Sequence, residues 1–244
     1  MKLNLVFAIA ISSFFVSTTA FGFSDQAKAL TFSGISTGTW GQPTPGSTDT
    51  NPTYTGVGSN TFTWGDPNVC SSGSSTPGGC KITGSNKLTL NGNSFLAEIN
   101  SVFKIADLTY FNGTVLNGTI VEFVPLNLNV SFNSATGNSK VFDFKLRLLN
   151  TPNDAIDPEK NADFVFIDTN FSNGNFTFEG NKYTFELTGF NSNITQISIK
   201  ALEGGTTKTG IYAKIKPIPE PSLMTGIYML GIYITSRKKL KKKC

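Results

Sequence analysis

Three groups of residues in this 244-residue chain have the types and spacing that chemistry requires. The first is acidic: Asp154, Asp157 and Glu159, with Asn153 and Asn161 interleaved and Asp163 following. Hard oxygen donors at this density could hold Ca²⁺, although the spacing matches neither an EF-hand nor a repeat-type calcium loop. A solvated loop between strands is the competing reading. The second is Cys70 and Cys80, in a Gly/Ser/Thr/Pro-rich stretch over residues 69–81. In an oxidising compartment they could close a loop of about 11 residues, a staple of roughly 3 kcal/mol. The alternative is two free thiols, since a metal pair would want closer spacing and more ligands. The third is aromatic: Trp40, Tyr54 and Trp64 could form a platform for stacking a sugar, or could fill the end of a core.

The chain contains no His, which removes Ser-His-Asp and Cys-His catalysis and every His-ligated metal site. A glycosidase would need two carboxylates converging across one cleft. With 16 acidic residues in the chain, no pair is singled out by sequence. The reading is therefore of a protein that is not an enzyme, with no cofactor beyond a possible Ca²⁺.

Hydropathy organises the rest. Lys2, then an apolar stretch from Leu5 to Val16 broken only by Ser12 and Ser13, then Thr18-Thr19-Ala20, reads as a secretory signal peptide over residues 1–22. Near the other end, Pro217-Ile218-Pro219-Glu220-Pro221 is a stiff extended segment, because each Pro fixes its own φ and disfavours helix in the residue before it. Residues 222–236 then run without a charge, as a helix about 22 Å long at roughly 1.5 Å per residue. A hydrocarbon core is about 30 Å thick, so this is a short transmembrane segment. Arg237, Lys238, Lys239, Lys241, Lys242 and Lys243 follow at once and would hold the segment with its basic end in the cytoplasm.

Those six cations and Lys2 account for the basic balance. The chain carries +4 formally, but without these seven 13 basic residues face 16 acidic ones, a net −3. A nucleic-acid partner is rejected on that ground.

Residues 30–216 form the exported body. Val124, Leu126, Leu128, Val130 and Phe132 alternate with polar residues, as do Phe142, Phe144, Leu146 and Leu148, and Tyr183, Phe185 and Leu187. This period of two is that of antiparallel strands packed on one face. Turn signals at Glu179-Gly180-Asn181-Lys182, Asn112-Gly113, Asn117-Gly118 and Thr136-Gly137-Asn138 separate ten to twelve expected strands. The fold expected is all-β, an antiparallel jelly-roll-like β-sandwich, with a closed barrel as the alternative. Six Asn-Xaa-Ser/Thr sequons, at Asn112, Asn117, Asn129, Asn170, Asn175 and Asn193, read as turn and strand-face chemistry.

Two resemblances follow. Pro219-Glu220-Pro221-Ser222, a short Gly-containing apolar helix and a basic cluster, together residues 217–244, resemble the PEP-CTERM sorting signal of Gram-negative and cyanobacterial exported proteins. The resemblance implies an inner-membrane intermediate, processing by an exosortase-type enzyme, and delivery to the cell envelope, surface or extracellular matrix, where polysaccharide is a possible partner. Thr39-Trp40-Gly41-Gln42-Pro43 is echoed by Thr63-Trp64-Gly65-Asp66-Pro67. In each, the Trp would close a strand, the Gly permit a positive-φ turn, and the Pro stop the strand from continuing. With Leu108 to Thr114 and Ala162-Asp163-Phe164-Val165, these residues resemble the choice-of-anchor K domain, to which no activity is assigned.

Overall fold

The computed structural model describes residues 30–69, 83–133, 139–153, 155–168, 173–192 and 196–219. Among them run thirteen strands: β1 (Thr31–Trp40), β2 (Tyr54–Thr55), β3 (Thr61–Trp64), β4 (Asn86–Gly92), β5 (Ser94–Glu98), β6 (Val102–Phe111), β7 (Phe123–Phe132), β8 (Ser139–Leu149), β9 (Asp163–Ile167), β10 (Asn173–Phe178), β11 (Asn181–Gly189), β12 (Ser198–Ala201) and β13 (Thr206–Pro217). The sole helical element among these residues is a 3₁₀ turn at Pro158–Asn161. No helix among them is long and apolar enough to cross a membrane. The expected signal peptide, both expected disulfide cysteines and residues 220–244 lie outside the described residues.

The strands form two antiparallel sheets, one in the order β12-β9-β8-β7-β1-β5, the other β10-β11-β13-β6-β4-β3-β2. Each ladder has two free edges, so the sandwich describes this body and the closed barrel does not. The alternating residues point as the period of two requires: on β7, Val124, Leu126, Leu128, Val130 and Phe132 are all buried, and Phe142, Phe144, Leu146 and Leu148 on β8 face the same core.

Phe rings make the seam between the sheets. Phe142 of β8 stacks on Phe185 of β11 with centroids 4.5 Å apart, and Phe132 of β7 lies 4.9 Å from Phe176 of β10, nearly parallel. Phe32 of β1 meets Tyr183 edge-on at 5.1 Å. Such pairs add about 0.5–1.5 kcal/mol each to the area they bury.

Local grammar explains most turns and revises others. Trp40 closes β1 and Trp64 closes β3. Gly65 has the positive φ that the repeated pentapeptide requires, 83°. Gly41 does not; it is small because a Cβ there would lie 2.8 Å from the Pro125 side chain. The β10–β11 hairpin turns on Glu179 (φ 48°) and Gly180 (φ 81°), one residue earlier than the Gly-Asn pair that sequence favoured. Two positive φ values in succession make a type I′ turn, whose twist suits a two-residue hairpin. Asn112-Gly113 is no hairpin at all: both are buried where β6 ends, and a Cβ on Gly113 would lie 2.0 Å from the Gly84 carbonyl oxygen.

Two substitutions test this frame by chemical denaturation. Glu179→Asn, which tolerates left-handed backbone better, should raise stability by about 0.5 kcal/mol. Gly34→Ala should lower it by about 1–3 kcal/mol, because the new methyl would sit 2.2 Å from the Ser131 carbonyl oxygen where β1 and β7 pair.

Candidate functional site

Two of the three groups singled out by sequence are dispersed by the fold. Trp40 and Trp64 are 0% and 1% exposed, so they are core and offer no face to a sugar. The Trp40 indole donates to the Asn60 carbonyl at 2.9 Å, and Trp64 stacks parallel to Tyr110 at 6.0 Å. Tyr54 is half-buried, lies over Phe62, and its hydroxyl accepts from Gln42 Nε2. Of the two readings left open by sequence, the core one describes Trp40 and Trp64, which with Tyr54 brace the β2–β3 end of the sandwich. The reason is register: Trp64 follows Phe62 at a spacing of two, and that phase points inward.

The acidic loop is likewise consumed locally. Asp157 caps the 3₁₀ turn, accepting from the Glu159 amide at 3.1 Å, and Glu159 is ion-paired with Lys200. Asn161 bonds back to both backbone groups of Ala155. Asp157 and Glu159 therefore have separate jobs, those of a solvated loop between strands; Asp154 lies outside the described residues. Pro219 is exposed at the end of the described chain, while Glu220, Pro221 and the cations from Arg237 to Lys243 lie beyond it, as do Cys70 and Cys80.

The fold instead assembles a polar corner from residues that sequence did not group together, Asp163 and Asn112 among them. Asp163 opens β9 and is 2% exposed. Its Oδ1 accepts from the Thr151 amide at 2.7 Å and from the Thr151 hydroxyl at 3.1 Å. In the opposite sheet, Asn86 and Asn112 are each 0% exposed, at the ends of β4 and β6. Asn86 Oδ1 accepts from the Gly113 amide at 2.9 Å, and Asn112 Nδ2 donates to the Ala201 carbonyl at 3.0 Å. Ala201 is the register partner of Asp163, so this bond ties the two sheets together at the carboxylate.

Glu203 belongs to the connection from β12 to β13 and accepts from the Thr114 hydroxyl. Asn112 brackets that connection, its amide donating to the Gly205 carbonyl and its carbonyl accepting from the Gly204 amide. Three side-chain atoms of the corner are buried without a partner: Asn86 Nδ2, Asn112 Oδ1 and Glu203 Oε2. Each such atom ordinarily costs about 1–3 kcal/mol. Beside them opens a cleft of about 470 Å³ whose walls include Thr114, Leu116, Ile120, Asn150 and Thr151.

The electrostatics match the geometry. Burial raises the Asp163 carboxyl from its ordinary 3.8 to about 7; the Thr151 bonds oppose the rise and the Glu203 charge adds to it. Tyr110, next to Asn112 in phase, is pushed up by burial and then by both carboxylates. Among the described residues neither carboxylate has an ion-pair partner. Two hard carboxylates without a counter-charge can retain a proton or hold a hard cation. The signal was present in the sequence as phase: Asp163 shares its face with Val165 and Ile167, Asn86 with Leu88 and Leu90, Asn112 with Leu108 and Tyr110.

No protein-family model matches the chain, and no curated protein matches it either.

The Asp163 shift has a definite sign. Between pH of about 4 and 7 the folded state holds a proton that the unfolded chain releases, so this residue's contribution falls as pH rises and the penalty is complete above about 7. With a chelator present, denaturation at pH 4 to 8 should show Asp163→Asn gaining on wild type across that window, by on the order of a few kcal/mol. Parallel curves for the two proteins would refute the assignment.

Proposed function

We propose that this protein is an exported, non-enzymatic β-sandwich, held at the membrane by its C-terminal segment, processed through a PEP-type sorting signal, and destined for the cell envelope or extracellular matrix. The observation that carries the reading is the order of residues 217–244: Pro-Glu-Pro, fifteen uncharged residues, then six cations within eight positions. A translocating chain would stall there, because burying those cations in lipid is costly and the cytoplasmic side retains them.

The body suits a tethered part. Its final strand, β13, lies between β11 and β6, paired with β6 over Thr206–Lys214 and with β11 over Tyr212–Pro217. The Ile218 amide still donates to the Lys182 carbonyl at 2.9 Å, and Pro219 is the next exposed residue. A pull on the tail would therefore load the β11 ladder first and meet the β6 ladder from Lys214 inward. The jelly-roll-like connection pattern and a choice-of-anchor K relationship belong to the same proposal. The sugar-binding alternative loses its main support with Trp40 and Trp64 in the core.

Fractionation of cells expressing the whole chain and a version ending at residue 221 tests this. The whole chain should sediment with membrane or envelope and, after sorting, show a mature C-terminus trimmed within residues 217–244 by mass spectrometry. The truncated chain should appear in the periplasm or medium. A truncated chain still held at the membrane, or a whole chain in the cytosol with both ends uncut, would refute the proposal.

A further inference from the structure

The polar corner leaves a specific imbalance: two carboxylates without a counter-charge, and oxygens without donors, at the place where the two sheets are joined. We infer that Asp163, Glu203 and Asn112 form a binding site for a hard divalent cation of the Ca²⁺ class.

Three observations carry the inference. First, Asn112 is wholly buried with Oδ1 unpartnered, while its Nδ2 is committed to the Ala201 carbonyl beside Asp163. The amide orientation is thereby fixed with its oxygen left over. Second, Thr114 holds Glu203 by Oε1 and leaves Oε2 buried and unpartnered, as Thr151 holds Asp163 by Oδ1. Each carboxylate is anchored through one oxygen, as a ligand is when positioned before the ion arrives. Third, Thr114 and Thr151, which hold the two carboxylates, are wall residues of a neighbouring cleft that reaches the exposed Asn117 and Asn153, the side from which an ion and its waters would approach.

The chemistry selects the ion. Two carboxylates balance a charge of two. The donors are all oxygen, with no His in the chain and no Cys among the described residues of the corner, which disfavours Zn²⁺. They come from the residue after β6, from β9 and from the β12–β13 connection, an irregular set that suits the flexible 6–8 oxygen shell of Ca²⁺ better than the octahedron of Mg²⁺. Because Asp163 belongs to one sheet and Asn112 to the other, the bound ion would clamp the sandwich at this end.

Trp64 and Tyr110, stacked beside the corner, supply the readout: excited aromatic rings sensitise nearby Tb³⁺, which substitutes for Ca²⁺. The purified whole chain should give sensitised Tb³⁺ emission that excess Ca²⁺ displaces and Mg²⁺ does not. Millimolar Ca²⁺ should raise Tm by about 5 °C, reversibly with a chelator. Glu203→Gln, on the half-exposed connection, and Asp163→Asn should each keep the far-UV spectrum of the fold and lose both effects. Wild type without sensitised emission and without a Ca²⁺-dependent Tm, or either effect surviving in both variants, would overturn the site and leave a corner filled by water.

Discussion

The structure rests on a register constraint. Each sheet buries one face against the other, and side chains alternate with a period of two, so a slip of one residue would turn every Phe of the seam to solvent. The stacked pairs Phe142–Phe185 and Phe132–Phe176 lie across the interface, and they hold that register for β7, β8, β10 and β11 together. Burying a side chain of this size stabilises by about 1.5–3 kcal/mol, far more than any single exposed ion pair here, such as Lys104–Asp107.

The same constraint creates the polar corner. Once Val165 and Ile167 are pulled inward, Asp163 has no choice but to follow, and Leu88 and Tyr110 draw in Asn86 and Asn112 in the same way. Partial compensation comes from Thr151 donating to Asp163 and the Gly113 amide donating to Asn86, while Thr114 donates to the neighbouring Glu203. Gly113 is needed for that donation, since any side chain would collide with the backbone of Gly84 and Ser85, just before β4. A burial cost is thus concentrated at one end of a body whose remaining core is almost entirely apolar. Such concentration is how a fold keeps a reactive or ligand-binding group in place against its own stability.

The placement of β13 joins this body to its proposed anchor. A tail attached to an edge strand such as β5 or β10 could be unzipped one bond at a time. Attached to β13, it is backed by β11 to the end of the strand and by β6 up to Lys214, and the chain leaves the ladder through Pro217 and Pro219, which cannot extend the pairing by donating.

The chain's own order of residues determined a good deal. Period-two alternation was enough to identify β7, β8 and β11 and their buried faces, because one-sided burial writes itself directly into the spacing of apolar residues. The two Thr-Trp-Gly-Xaa-Pro segments marked the ends of β1 and β3, because turn chemistry is local. Tertiary structure alone decided the rest. Whether Trp40 and Trp64 face a ligand or the core depends on which sheet lies opposite, and both Trp side chains turned out to be sealed. Whether four acids in one loop converge depends on backbone path, and Asp157 and Glu159 found a cap and Lys200 instead. Asp163, Asn112 and Glu203 lie far apart along the chain, and only the pairing of β9 with β12 and the crossing from β12 to β13 bring them to one corner. Contacts of that kind follow from how sheets stack, which no local spacing encodes.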